Sequence, residues 1–188
     1  MTTRIILDVD TGTDDAVALM VAALSPDIEL VGATTVNGNT GLTNCTENTL
    51  RVFDHIGLSG VPVHEGMAEP MVRPNAHQVN PASRIHGDFL DLPYMASDGD
   101  ITLVPVGPLT NIATAMRKEP RIIERIPELV IMGGAHDHGN ATASAEFNIF
   151  LDPEAARIVI NCGRPIRLLP LDATHEALVS REDCAALR

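Results

Sequence analysis

Short β-branched runs alternate with helical patterns along this chain, and that alternation restricts its fold more than any other feature. Arg4-Ile5-Ile6-Leu7-Asp8 has the continuous apolar character of a strand buried on both faces. Ala, Val, Leu and Met then recur at helical spacing from about Asp14 to Leu24. The same alternation predicts strands over 28–35, 61–64, 101–106, 129–132 and 166–171, and helices over 42–56, 108–118 and 153–161. Pro108 behind Gly107 reads as a first helical residue, where a missing N–H costs least. Parallel strands need a crossover between them, so a βαβα order implies an α/β fold: a mainly parallel sheet with helices on both faces. The 188 residues, 45% of them hydrophobic, suffice for one domain with its own core.

In such sheets ligands bind beyond the carboxyl ends of the strands. The polar residues of this chain cluster there. Asp10, Asp14 and Asp15 follow the first predicted strand, Asn37 and Asn39 the second, the Asn-, Glu- and His-rich stretch 133–152 the fifth, and Asp172 the sixth. The densest group is Asp8-Val9-Asp10-Thr11-Gly12-Thr13-Asp14-Asp15, four carboxylates on one strand-to-helix turn. A helix N-terminus stabilises a nearby anion by only about 0.3–1 kcal/mol, too little to hold four like charges in a crevice. A hard divalent cation removes the conflict, and Thr11-Gly12 allows the tight turn that aims these side chains at one point. An Asp N-cap with solvated neighbours accounts for one or two of them, not for the cluster. A phosphatase loop of the haloacid-dehalogenase type also begins D-x-D. It wants Thr or Val where Gly12 stands and a downstream lysine, and the single lysine, Lys118, lies in a charged helix end.

A net charge of −12 without a basic stripe argues against nucleic-acid partners and suits a neutral or cationic small molecule or a metal ion. Cys45, Cys162 and Cys184 are too few and too scattered for a disulfide framework or a zinc site. The N-terminus enters a strand within a few residues, leaving no room for a signal peptide, and no apolar run is long enough to span a bilayer. The expectation is a cytoplasmic protein with no membrane partner.

Ile5 to Ala16, with its D-x-D-x-x-x-D-D spacing, resembles the signature of the inosine–uridine-type nucleoside hydrolases. Further stretches agree in family order: Thr34-Thr35-Val36-Asn37-Gly38-Asn39, Ile85-His86-Gly87, and Thr102 through Val106-Gly107-Pro108-Leu109-Thr110-Asn111 to Ala113. They continue with Met132-Gly133-Gly134, Gly139-Asn140-Ala141-Thr142, Ala145-Glu146-Phe147-Asn148, Asp152-Pro153-Glu154 and Leu171-Asp172-Ala173-Thr174-His175. The resemblance implies a Rossmann-like fold and hydrolysis of ribonucleosides to ribose and free base, with bound Ca²⁺. It assigns Asp10 as metal ligand and general base, Asp15 as metal ligand, and Val106 as the donor of a metal-binding carbonyl. Asp14 and Asn148 match residues that hold ribose hydroxyls, with Asn39 nearby; Asn140 and Glu146 match contacts to the 5′-hydroxyl, and His86 falls near the base. Elementary chemistry agrees. Carboxylates facing a ribose stabilise an oxocarbenium-like state, and an aspartate beside an acidified water can take its proton.

Several of these residues also have plain structural readings. Asn37 and Asn39 suit a turn, Gly133-Gly134 a tight bend, Asn140 a loop, and Glu146 with Asn148 one face of an extended segment. His136 and His138 around Asp137 have weak metal spacing and read as a solvated loop; His175 suits a structural place as well as a functional one. The chain departs from the family pattern twice. It is shorter between His86-Gly87 and Ile101, which predicts thinner cover on one sheet face, and it ends at Arg188, just after Ser180 opens an apparent helix. The family's later His-Asp pair, assigned to protonating the leaving base and to the metal, lies beyond that point. The expectation is one domain over 1–188, incomplete at its C-terminus, acting either as a hydrolase or as a noncatalytic homologue that binds metal, nucleoside or a partner subunit. Purine or pyrimidine preference stays open, as does a homo-oligomer.

Overall fold

The computed structural model of the chain describes residues 2–73, 99–178 and 180. In order, the elements are β1 (Thr3–Val9), α1 (Thr13–Leu24), β2 (Ile28–Thr35), α2 (Leu42–His55), β3 (Val63–Glu65), β4 (Ile101–Pro105), α3 (Thr110–Lys118), α4 (Arg121–Arg125), β5 (Leu129–Met132), α5 (Phe147–Leu151), α6 (Pro153–Ile160), β6 (Ile166–Leu169) and α7 (Leu171–Thr174). The six strands form one sheet in the order β3-β2-β1-β4-β5-β6, and every registered pair is parallel. The order reverses between β1 and β4, which makes the crevice beyond β1 the expected ligand site.

The strands alternate side chains between two cores. Ile5, Leu7 and Val9 of β1 pack under α1 and α2 with Leu19, Val52 and Phe53. Ile6, on the opposite face, joins Ile101, Leu103, Leu129 and Ile131 under α3, α4 and α6. The connection leaving β3 runs on this second face, since Met71 packs there and donates its N–H to Asp152 at the head of α6 at 2.8 Å. Ile131 is fully buried in that core, so Ile131→Ala should lower stability by about 2–5 kcal/mol, read as a lower urea midpoint at unchanged slope.

Strand β2 contains an irregularity. Its register against β1 shifts between Ile5 and Ile6, so that Ile5 faces Leu30 but Ile6 faces Gly32. Leu30 and Ala33, three residues apart, consequently share the α1 core, where an unbroken pleat would have put them on opposite faces.

Three details differ from the sequence expectation. Helix α3 begins at Thr110 with Leu109 at its N-cap, two residues after Pro108: the Leu109 carbonyl accepts the first helical N–H, from Ala113, at 3.0 Å. The sixth strand stops at Leu169, because Pro170 has no N–H for the ladder and Leu171 already starts a helical turn. Glu146 and Asn148 do not lie on an extended segment. Glu146 caps α5 and Asn148 sits in its first turn. The apparent helix after Ser180 and the stretch from His86 to Pro93 lie outside the described residues.

Candidate active site

The loops after β1, β2, β4 and β5 meet around one cavity of about 640 Å³, within the range of small-ligand sites. Asp10, Asp14, Asp15, Asn39, Val106, Asn140, Glu146 and Asn148 all line it. These are eight of the nine residues expected from the sequence; the ninth, His86, lies outside the described residues.

Each arrives there for a local reason. Asp10 ends the β1 exit, and its Oδ2 accepts the Asn39 backbone N–H at 2.7 Å, tying the β1 and β2 loops together. Gly38 has to be glycine, because an added Cβ would collide with the Asp10 carboxylate. Asp15, in the first turn of α1, reaches back to the N-cap N–H of Gly12 at 2.9 Å, and Asn39 Nδ2 approaches the same oxygen at 3.4 Å. Asp14, next to it, stays exposed at the cavity rim. Glu146 is buried and accepts three backbone N–H groups, from Gly134, Asn148 and Ile149, at 2.8–3.2 Å. Asn148 donates through Nδ2 to the Val106 carbonyl at 2.8 Å and to the Met132 carbonyl at 3.3 Å, joining α5 to the ends of β4 and β5. Asn140 accepts the Phe147 N–H at 2.8 Å, which folds the loop over the head of α5.

The electrostatics of the cavity favour positive charge. Asp8, Asp10 and Asp15 are buried, and among the described residues no ion pair reaches them. Burial, then the charge of Asp15, hold the Asp10 carboxyl well above the usual range; burial, with Asp14 adding to it, raises Asp15 as well. Burial pushes Asp8 up to about 7 although Thr34 and Asn111 both donate to its Oδ1, and among the described residues its Oδ2 has no hydrogen-bond partner. Asp10, Asp15 and the Val106 carbonyl, which line one cavity, would offer a cation only oxygen donors, chemistry that suits Ca²⁺ or Mg²⁺ and not a thiophilic metal.

The family model described as inosine-uridine preferring nucleoside hydrolase matches residues 5–188. The chain belongs to this nucleoside hydrolase family. The pyrimidine-specific ribonucleoside hydrolase RihB of Escherichia coli O157:H7 is 46% identical over 206 residues, covering 98% of this chain and 64% of that protein. A purine-preferring ribonucleoside hydrolase from Gardnerella vaginalis superposes with a TM-score of 0.85 at 33% identity, over 95% of this chain and 64% of the other. The plant nucleoside hydrolase PpNRh1 does so with a TM-score of 0.85 at 30% identity, over 94% and 62%. The chain thus spans 62–64% of the length of these relatives.

Some parts of this candidate site carry no sequence signal of their own. Ala18, Met132, Phe147, Leu171, Thr174 and Ala177 also line the cavity, and as apolar or small residues they resemble any core position. Asn111 stands in the recognised Gly-Pro-Leu-Thr-Asn run, yet its work shows only in three dimensions. Fully buried, it donates to Asp8 Oδ1 at 2.7 Å and to the Thr35 carbonyl at 3.0 Å, and accepts the Met67 N–H at 2.7 Å. It therefore clamps the ends of β1 and β2 and the exit of β3 beneath the acidic loop. His136 pairs with Asp137 at 2.7 Å on the surface, while Asp172 accepts the backbone N–H groups of both at 2.8 and 3.0 Å; these three side chains pin the loop after β5, and His175 is exposed beyond them.

Proposed function

We propose that this chain carries the chemistry of a ribonucleoside hydrolase of cytoplasmic nucleoside catabolism, cleaving the N-glycosidic bond to release the base from ribose. The observation that carries it is the single cavity onto which eight of the expected residues converge. Asp10, Asp15 and the Val106 carbonyl are the groups that would hold Ca²⁺, and the fit rests on the burial of the two carboxyl groups and on all-oxygen chemistry. Bound there, the ion would supply the positive charge that balances the carboxylates and acidifies water beside it. Asp10 would take a proton from the attacking water, whose oxygen adds to C1′ as the electrons of the C1′–N bond leave with the base, which takes up a proton from solvent. In this reading Asp14, Asn39 and Asn148 hold the ribose hydroxyls, with Asn140 and Glu146 toward the 5′ end, and their common cavity supports it. Negative charge on this side of the sugar stabilises the oxocarbenium-like state. A neutral nucleoside fits a cavity whose ionisable lining is wholly acidic.

The 46% relative is named pyrimidine-specific, so uridine is expected to be cleaved faster than inosine. The test is chromatographic detection of free base from uridine and inosine with the purified chain, in Ca²⁺ and after chelation. Base release that chelation stops and Ca²⁺ restores supports the proposal. A folded chain that releases no base and whose melting point ignores Ca²⁺ sinks it. The other reading this test separates is a noncatalytic homologue that binds metal and nucleoside. It predicts ligand-induced stabilisation, about 2.7 kcal/mol at a hundredfold excess over the dissociation constant, without turnover.

A further inference from the structure

The loop after β5 and the head of α7 bring together a group of metal-ligating side chains outside the cavity. His136 and Asp137 are neighbours in the loop, and Asp172 reaches them from the first turn of α7, 36 residues beyond His136. One ligand atom of each, a ring nitrogen of His136 and a carboxylate oxygen of either aspartate, lies within 4.8 Å of the other two. The weak metal spacing in the sequence joins His136 to His138; the fold supplies Asp172 instead.

Two features make this a ligand set and not three scattered surface charges. Asp172 is half-buried and fixed, because its two oxygens accept the His136 and Asp137 backbone N–H groups at 2.8 and 3.0 Å. It holds in place the backbone of the two residues whose side chains face it, and each oxygen keeps a second lone pair for an ion. His136 Nδ1 and Asp137 Oδ1 are 2.7 Å apart on exposed side chains. Metal bonds of about 2.0–2.2 Å put neighbouring ligand atoms about 3–4 Å apart, a separation that modest rotation of these side chains reaches. The Asp137 hydrogen bond, then the charges of Asp137 and Asp172, raise His136 above the usual imidazole range, so positive charge is already favoured at this point.

We propose that His136, Asp137 and Asp172 form a second metal site, for a borderline divalent ion of the Zn²⁺ type. One imidazole nitrogen and two carboxylate oxygens suit such an ion, whereas the all-oxygen group in the cavity suits a hard one. On binding, His136 Nδ1 gives its proton to solvent and its lone pair to the ion, and Nε2 carries the remaining ring proton. Each aspartate supplies one oxygen, and water completes the coordination. The site has a consequence for the cavity rim. The Gly134 N–H is held by Glu146 at 3.0 Å, the Gly134 carbonyl accepts the Leu171 N–H at 3.0 Å, and Asn140 accepts the Phe147 N–H at 2.8 Å. The loop over 134–140 thus connects residues that line the cavity. An ion bound between this loop and α7 fastens that rim. The site stands independently of what the cavity cleaves.

The experiment is calorimetric titration of the full 188-residue chain with Zn²⁺ alone, in excess Ca²⁺ so that the harder ion takes the cavity carboxylates. The expected result is a single equivalent of Zn²⁺. His136→Ala and Asp137→Asn, both at exposed positions, should each weaken it by roughly tenfold or more without lowering the melting point in chelator. His138→Ala should bind as the parent does. Asp172→Asn can loosen the loop by itself, so the direct reading of the ligand set is the nitrogen NMR spectrum of the imidazoles. Zn²⁺ should convert Nδ1 of His136 to a metal-bound nitrogen and leave Nε2 protonated. Absence of binding overturns the proposal. So does binding that survives His136→Ala, which would put the ion on the cavity carboxylates or a cysteine, and so does binding abolished by His138→Ala. None of these readouts is turnover. Base release controlled by Ca²⁺ and chelation can succeed or fail without altering the Zn²⁺ titration, so the two readings fall separately.

Discussion

Asp10→Asn is expected to move stability and function in opposite directions. Without a cation, Asp10 is a buried carboxyl group beside Asp15, and burial and that neighbouring charge both penalise its ionised form. The amide carries no such penalty and keeps an oxygen for the Asn39 N–H, which lies 2.7 Å from the Asp10 carboxyl. In calcium-free buffer near pH 7 the variant should therefore gain stability, on the order of 1 kcal/mol or more, raising the melting point by about 2–4 °C per kcal/mol for a chain of this size. The same change removes a metal ligand and the proton acceptor. The calcium-induced rise in melting point should vanish, and base release should fall by roughly two to four orders of magnitude. Paired melts with and without Ca²⁺, together with a chromatographic assay, check both halves. A variant that melts below the parent without calcium and still responds to calcium would place the ion elsewhere.

Asn111→Asp should be the most damaging single-atom-scale change in the scaffold. The amide nitrogen serves Asp8 and the Thr35 carbonyl at once. Replacing it with oxygen sets a second carboxyl against one that already has an unpartnered oxygen, in a position with no solvent. A buried charge left uncompensated costs about 3–5 kcal/mol, comparable with the whole margin of many domains. The expected result is a large fall in the urea midpoint, with loss of calcium binding following from displacement of the β1 exit. Asn111→Ala, which removes the donor without adding charge, should cost less, about 1–3 kcal/mol. Equal stability of the Asp variant and the parent would show that the clamp is dispensable.

Much of this architecture was legible in the sequence because it rests on local pattern. The apolar runs of β1, β2 and β5 suit the buried strands of a parallel sheet, and the turn residues after them mark the rim where ligands bind in such folds. The acidic loop was legible for a different reason: four aspartates on one turn are unfavourable unless they share a cation. What escaped was non-local. Helices α4, α5 and α7 span four or five residues each, too short to show a period. Glu146 and Asn148 lie two apart, as they would on a strand, and only the cap that Glu146 forms with the Asn148 and Ile149 N–H groups makes them the start of a helix. The clamp at Asn111 depends on partners 44, 76 and 103 residues away, which no window along the chain can see.

The register shift in β2 has a consequence for how this family of sequences can vary. Beyond the shift, Asp8 stands opposite Thr34 and Val9 opposite Thr35, so Thr34 meets the Asp8 carboxylate at 2.5 Å and the following loop carries Asn39 to Asp10. The one supernumerary residue thus acts as a phase correction between two strands, bringing their exits level. Length in this strand is therefore not free. A single deletion there would preserve hydrophobicity and pairing, yet turn Thr34 from one core to the other and retract Asn39 by a residue. Insertions and deletions during divergence should be channelled into the loops beyond the rim, while the spacing from Ile28 to Asn39 stays constant.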